Sequence, residues 1–556
     1  MRSGRKLAVL ALWLLAALPA CRRAHGSGKR FTLSVIGTGD LHGHIEALPM
    51  FGGYVDNLRR TRRQDGGQVL LLDAGDMFQG TIASNRTEGA VVVRAYGALG
   101  YAAAAIGNHE FDYGPVGPAE TPGAPGDDPR GALRARAAEA PFPLLDANLI
   151  DDATGAPPTW KNVVPTAIRD VGGVKVGLVG VMTASTPRST LPANFAGLSV
   201  TPLAPALSAA AADLRRRGAT VVIAVAHAGG ECHHFNAPDD LSSCEADQEI
   251  FQVARELPAG AVDAIVAGHT HKAIAHRVNG IPIVEAFSNG RAFSRIDLTV
   301  DRGTGRVVAA RIFPPQDVPP ADSVQLVAYE ADIVRPDPAV AAAIAPALAA
   351  TAAAREQRLG VDLGQAIPRA QKVESPLGNL IADLMRAARP DADVALTTSG
   401  AVRADLPAGP LTYGRLFETL PFDNRFALVP LTGADLARLI ARNLTHGGAV
   451  LSVSGVRAVA SCTGGELSVS LTRPDGRPVA AGAHLTLAAS EFLATGGDKF
   501  FPAQLLGRAR IVEGPPIRDA VADQLRARRA VPPLHQLYDP EHPRLAYPGK
   551  RPVSCE

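Results

Sequence analysis

Through the first half of the chain, short runs of aliphatic and β-branched residues recur between longer polar and amphipathic stretches, the signature of strands separated by helices. Phe31 to Ile36, Gln68 to Leu72, Ala102 to Ile106, Val174 to Val181, Thr220 to Ala226, Asp263 to Ala267 and Ile281 to Val284 are predicted strands of an α/β fold. Leu203 to Arg217 reads as a helix ending at Gly218, and Asp301-Arg302-Gly303-Thr304-Gly305 as a hairpin turn that closes a first domain. Pro115 to Pro129, rich in Pro, Gly and Asp and without periodicity, reads as a surface loop beside the strand ends, either a lid or a tolerated insertion.

At 556 residues the chain is too long for one ordinary core, and two domains are expected. Phe313-Pro314-Pro315 and Pro319-Pro320 are expected to interrupt regular structure. From Ser323 to Arg358 the pattern is Ala-rich and mostly helical, with a break at Arg335-Pro336-Asp337-Pro338, which suits an inter-domain connector and hinge. Ser375-Pro376 opens a helix through Ala388, with Ser as N-cap and Pro at the first helical position. Strands at Val394 to Thr397 and Ala481 to Ala489 lead into polar loops, Thr398 to Arg403 and Ser490 to Asp498. The division is then 29–320 for the first domain, 321–360 for the connector, 361–535 for the second domain and 536–556 for a tail.

With 46% hydrophobic and 20% charged residues the chain is globular, and its formal net charge of +2 gives no basic excess for a nucleic-acid polymer. Arg2, Arg5 and Lys6 followed by the apolar run Leu7 to Ala20 have the form of a secretory signal within 1–28. Leu18-Pro19-Ala20-Cys21 resembles a lipoprotein signal, so the chain is expected to be exported, as a periplasmic or outer-membrane lipoprotein lipidated on Cys21 or as a secreted protein. In an exported chain Cys232 and Cys244 are expected to form a disulfide, with Cys462 to Cys555 as the remaining pairing; zinc binding by Cys232-His233-His234 is the alternative.

The chemistry lies at the strand ends. The predicted strands deliver Asp40 and His42, then Asp76, then Asn108, then His227, then His269 and His271. A lone His is usually structural, but five strand ends each carrying such groups would need five coincidences. Seven groups exceed one tetrahedral ion and suit two ions sharing a carboxylate, for which Asp76 is the candidate. Mixed Asp, Asn and His ligation without thiolate suits divalent zinc, manganese, iron, cobalt or magnesium without choosing among them. His109 and Asp112 are spaced so that the carboxylate orients the imidazole. Asp73 reads as a structural hydrogen-bonding group, and His44 and Glu46 as neighbours of the ligands.

The ordered set Gly39-Asp40-Leu41-His42, Gly75-Asp76, Gly107-Asn108-His109-Glu110, His227 and Gly268-His269-Thr270-His271 resembles the calcineurin-like metallophosphoesterases. That resemblance implies a four-layer α/β/β/α sandwich, one metal held by Asp40, His42, Asp76 and His271, another by Asp76, Asn108, His227 and His269, and His109 stabilising a transferring phosphoryl. Ser375 to Leu380, Ser399 to Arg403, Phe422 and Phe492 in polar loops, and Gly496-Gly497-Asp498 resemble the C-terminal domain of the 5′-nucleotidases, a smaller α+β domain. There Phe422 and Phe492 would sandwich a nucleobase, Asn424 contact its edge, Asp498 the ribose and Arg403 the phosphate. The family's further substrate Arg falls at Gln371, with Arg369 and Lys372 nearby, and its usual Asn at Thr398. The resemblance implies a hydrolase of nucleoside 5′-monophosphates, which the N-terminal signal would export. Cyclic nucleotides, UDP-sugars, dinucleotides or a thiosulfate ester on the same centre are alternatives, and a non-enzymatic nucleotide-binding protein is the reading from another class.

Overall fold

A computed structural model describes residues 29–555, so the signal and lipidation expectations lie outside the described residues. Arg30–Thr38 is the hub of a seven-stranded sheet, pairing in parallel with Gln68–Asp73 and antiparallel with Ala292–Asp301. Ala103–Ala105, Leu144–Leu145 and Val163–Val164 continue the parallel side, and Val307–Asp317 forms the opposite edge. A second, six-stranded sheet runs Ala273–Val278, Ile281–Ala286, Ala264–Ala267, Val221–His227, Val174–Met182, Thr166–Val171.

The sheets pack face to face: Leu33, Val35, Leu72 and Ala105 from one meet Leu178, Ile223, Val225 and Val266 from the other. Their outer faces bury the helices Leu48–Asp65 and Ala90–Leu99 on one side, and Leu203–Arg216 and Glu249–Glu256 on the other. This is the expected four-layer sandwich. It also explains why the central strands read as unbroken apolar runs, because both of their faces are covered.

Three expectations are corrected, the last of them in the second domain. Phe313-Pro314-Pro315 does not interrupt the sheet but lies within the edge strand Val307–Asp317, where Pro breaks no ladder on the open side and a register shift opposite Phe293 and Arg295 takes up the irregularity. The connector is not helical from Ser323: a short ribbon, Ala328–Tyr329 with Asp332–Ile333, precedes a helix that starts only at Pro338. The residues read as a break are the helix start, since the Asp337 carboxylate accepts the Ala339 and Val340 N–H groups and Pro338 needs no N–H partner there. Helix Pro338–Glu356 buries Val340, Ile344 and Ala347 in the core cluster of the first domain.

The second domain is built on a five-stranded sheet, Leu451–Ser454, Val394–Thr398, His484–Ser490, Phe426–Thr432, Arg510–Ile511. Helices Pro376–Ala388 and Ile517–Arg528 cover one face; Gly433–His446 and the ribbon Arg457–Thr463/Glu466–Thr472 cover the other. The Ser375 hydroxyl accepts the Gly378 N–H, the cap that Ser375-Pro376 predicts. Of the residues 536–556 read as a tail, the described ones, 536–555, instead close this domain: Leu545–Ala546 adds a strand to Arg457–Thr463, and Cys555 is bonded to Cys462. Cys232 and Cys244 are likewise bonded, leaving His233 and His234 exposed beside the bridge.

Leu72 is fully buried between the two sheets. Leu72→Ala should lower the unfolding free energy by about 2–5 kcal/mol in denaturant titration; a loss below ~1 kcal/mol would mean that this interface is not close-packed.

Candidate active site

The ligand-type side chains sit where the parallel strands of both sheets end, the edge at which open α/β sheets hold ligands. Beyond its strand each segment turns sharply. Asp40, His42, Asp76, His269 and His271 all have positive φ, between 48° and 84°. Non-glycine residues hold such conformations only when surrounding structure enforces them. Here adjacent loops pin one another: Asp40 N–H donates to Gly75 O, His42 N–H to Asp76 O, and Asn289 N–H to Asp40 O, at 2.8–3.0 Å.

Two buried carboxyls staple the loops further. Glu110 accepts the N–H groups of Asp76, Met77 and Gly107, tying the second strand end to the third. Glu285 accepts the Gly230 N–H and both the N–H and hydroxyl of Thr270, tying the His227 loop to the His269-Thr270-His271 loop. Burial pushes Glu110 up to about 7 and Glu285 up to about 8. Glu110 stands inside a motif visible in the sequence, whereas Glu285, on its own strand, gave no local signal. Asp73 accepts from Thr38, Tyr96 and Gly75, so it has the structural place expected of it.

All seven ligand-type residues converge. The His227 Nε2 lies 3.1 Å from Asp76 Oδ2, 3.1 Å from Asn108 Oδ1 and 3.2 Å from His269 Nδ1. The His42 Nε2 lies 2.9 Å from His271 Nε2 and 3.9 Å from Asp76 Oδ2, and His271 Nε2 is 3.5 Å from Asp40 Oδ1. Asp40, His42, Asp76 and His271 form one group of potential metal ligands, and Asp76, His227 and His269 another, so that Asp76 is common to both.

Tautomers support the same reading. His42 Nδ1–H donates to Gln79 O and His227 Nδ1–H to Ala74 O, which turns the Nε2 lone pair of each into the cluster. Burial, with Arg403 nearby, holds His42 well below the usual imidazole range; burial, His42 and Arg403 do the same for His271. Burial alone would lower His227 too, but the adjacent Asp76 carboxylate carries it up to about 10. Carboxylate, amide and imidazole groups gathered this closely around Asp76 are a set that suits a divalent cation, which would take the place of the proton on His227 Nε2.

Beside the cluster, Asp112 Oδ2 accepts from His109 Nδ1 at 2.6 Å, and the His109 backbone N–H donates to Asp76. Burial disfavours the imidazolium, yet Asp112 and Asp76 outweigh it and raise His109. From the second domain, Arg403 brings its guanidinium within 3.5 Å of the Nε2 atoms of His42 and His271. No carboxylate pairs with Arg403 among the described residues, which leaves a cation facing the place where an anionic substrate would lie. Phe422 stands 5.6 Å from the His109 ring, centroid to centroid.

A cavity of about 140 Å³ continues from His109, Asp112 and Arg403 past Phe422, Asn424 and Phe492 to Asp498. Asn424 Oδ1 accepts the Phe492 N–H, tying the two aromatic loops together. Asp498, in the left-handed region at φ 54°, faces this space; crowding by protein pushes its carboxyl up to about 6 against the pull of Arg188. Arg369 lines a second, smaller cavity with His42, His44, Gln79, His271 and Arg403, whereas Lys372 is engaged by Glu231 and Glu245. Glu46 pairs with Arg355 of the connector helix. Glu120, Ser189 and Leu191 of the first domain also line the larger cavity, and the sequence pattern picked out none of them.

A carboxylate-bridged constellation at the edge of a double sheet, roofed by an arginine from a second domain, defines a metal-dependent phosphoester hydrolase of the calcineurin-like class. Residues 33–273 match the calcineurin-like phosphoesterase family and residues 350–504 the 5′-nucleotidase C-terminal domain, together more than half of the chain. The chain therefore carries the two domains of the 5′-nucleotidase family, a calcineurin-like phosphoesterase domain followed by a 5′-nucleotidase C-terminal domain. It is 27% identical over 525 residues to protein UshA of Yersinia enterocolitica, covering 87% of this chain and 89% of that protein. It is 27% identical over 550 residues to a 5′-nucleotidase of Vibrio cholerae, covering 90% and 92%. A solved 5′-nucleotidase precursor from Thermus thermophilus shares the fold, with a TM-score of 0.71 at 24% identity over 90% of this chain and 97% of that one.

Gly107 packs so closely beneath the shared carboxylate that a Cβ there would lie 2.2 Å from Asp76 Oδ1. Gly107→Ala should therefore lower bound metal, measured by elemental analysis after dialysis; full retention would show that the Asp76 position is not set by this contact.

Proposed function

We propose that the protein hydrolyses nucleoside 5′-monophosphates to nucleoside and inorganic phosphate, using two divalent cations that share Asp76. One observation carries the reading: a single continuous cavity joins Arg403 and His109, beside the ligand cluster, to the two phenylalanines. The two cations, one bounded by Asp40, His42, Asp76 and His271 and the other by Asp76, Asn108, His227 and His269, would supply Lewis acidity for attack of water at phosphorus.

The residues of the chain do the rest. Arg403 neutralises and orients the phosphate oxygens, with charge-assisted N–H donors that no carboxylate among the described residues occupies. His109, held in one orientation by Asp112, presents Nε2–H toward the same oxygens and stabilises charge as the bond to the leaving oxygen breaks. Phe422 and Phe492 stack the base, Asn424 meets its edge and Asp498 takes the ribose hydroxyls.

A second reading has its own observation. The smaller cavity on the far side of Arg403 contains Arg369 and the buried side chain of Gln79, both of whose amide atoms lack a partner among the described residues. That space would receive a second phosphoryl group, as in a UDP-sugar or a nucleoside diphosphate. Arg369 rather than Lys372 then takes the part of the family's further arginine.

Export is proposed on the basic start, the apolar run Leu7 to Ala20 and the two disulfides; cell fractionation with palmitate labelling of a Cys21→Ser variant tests it and the lipid together.

Consumption of AMP, ADP, ATP, UDP-glucose and 2′,3′-cyclic AMP, followed by chromatography of substrate and product with each metal restored to stripped protein, should be fastest for AMP, with adenosine and phosphate as its products. Faster conversion of cyclic AMP to the ring-opened monoester would overturn the monophosphate reading. Asp76→Ala should be inactive on every ester. Phe422→Ala should lose about 1–3 kcal/mol of nucleotide binding, and equal losses on AMP and p-nitrophenyl phosphate would remove the stacking role.

A further inference from the structure

The loop Pro115 to Pro129 is anchored as a functional element would be. The Glu120 carbonyl accepts from Asn194 Nδ2, whose Nδ2 also donates to Phe111 O just past the ligand motif. Gly114 passes so close that a Cβ there would lie 2.4 Å from the Glu120 carbonyl oxygen, and its φ of 64° suits glycine. These contacts fix the Glu120 backbone to the first domain. Its side chain then crosses to the second, where Oε1 accepts the Asp423 N–H at 3.0 Å, one residue from Phe422 and one from Asn424.

Asp423 itself is held by Arg518, so the backbone that Glu120 touches is fixed from both sides. The half-buried carboxyl lines the cavity that holds both phenylalanines. Among the described residues its Oε2 has no hydrogen-bond or ion-pair partner. Loss of solvation, with Asp423 and Asp112 nearby, raises the carboxyl well above its ordinary range. That is the behaviour of a carboxyl short of donors, which an N–H-bearing ligand would relieve.

We infer that Glu120 is a specificity-determining residue, contributed by the catalytic domain, that reads the edge of the substrate base and selects bases bearing an exocyclic amine. The inference rests on the nucleotidase reading. Adenine, cytosine and guanine offer N–H donors from such an amine, and carboxylate acceptance from an amine is an established mode of base recognition. Hypoxanthine and uracil are near-isosteres of adenine and cytosine that place a carbonyl oxygen where the amine stood, opposing acceptor to acceptor. A site built to pair with a polar group discriminates far more strongly than a hydrophobic pocket of the same shape. Because the reader sits on one domain and the rings on the other, selection operates only when the domains are docked as they are here.

The test compares kcat/KM for AMP against IMP and for CMP against UMP, in the full-length protein and in Glu120→Ala and Glu120→Gln, alongside calorimetric binding of adenosine and inosine. The wild type should favour each amine by about tenfold, and Glu120→Ala should bring both ratios close to one. Glu120→Gln keeps an acceptor for the Asp423 N–H but can present an amide N–H to the ligand, so it should move both ratios toward IMP and UMP. Ratios the same in all three proteins, with nucleotides still turned over, would overturn the role of Glu120 and leave the nucleotidase reading standing. If the wild type hydrolyses none of the four faster than p-nitrophenyl phosphate, the nucleotidase reading itself falls, and the base-reading role with it.

Discussion

Lone pairs from several imidazoles, carboxylates and an amide repel one another when they are crowded into one buried space, and most of the first domain can be understood as the apparatus that holds them there. Positive φ at Asp40, His42, Asp76, His269 and His271 costs of order 1–3 kcal/mol per residue. That cost is met by the close-packed face between the two sheets, where Leu33, Val35, Leu72, Ile223 and Val225 are wholly buried. Glu110 and Glu285 then fasten the strained loops in pairs. Fixing the backbone before a cation arrives means that binding need not order the ligands, which is the physical content of a preorganised metal site.

The second domain supplies what the ligand cluster lacks. Arg403 brings positive charge without a carboxylate partner among the described residues, and the tied loops of Phe422, Asn424 and Phe492 bring two aromatic rings and an amide to the shared cavity. In the proposed reading neither feature acts at a distance from the cluster, so the inter-domain contacts bear on the site. They include Asn85 Nδ2 to Pro421 O, Asp423 N to Glu120, Glu46 with Arg355 and Lys372 with Glu245. Most are solvent-accessible pairs or single hydrogen bonds, each worth about 1 kcal/mol or less.

Legibility in the sequence followed the distance over which each signal is written. Asp40 with His42, Asn108 with His109 and Asp112, and His269 with His271 were readable because strand, turn and ligand lie within a few residues. Ser375-Pro376 was readable for the same reason, as a cap and its first helical residue. Glu285, Glu120 and the cavity-facing side of Arg369 were not, because only the approach of distant segments gives them a partner. Pro314-Pro315 misled because an edge strand tolerates what an inner strand cannot, and edge position is a tertiary fact. Arg335 to Pro338 was seen as special but read as the break in a helix when it is the beginning of one.

The most direct measurement is the structure of metal-loaded protein crystallised with adenosine 5′-(α,β-methylene)diphosphate, with anomalous scattering recorded at the absorption edge of the added metal. Two ions sharing Asp76, phosphoryl oxygens on Arg403, and adenine between Phe422 and Phe492 are the predicted result. A single ion within this cluster, or adenine lodged away from both rings, would contradict the account.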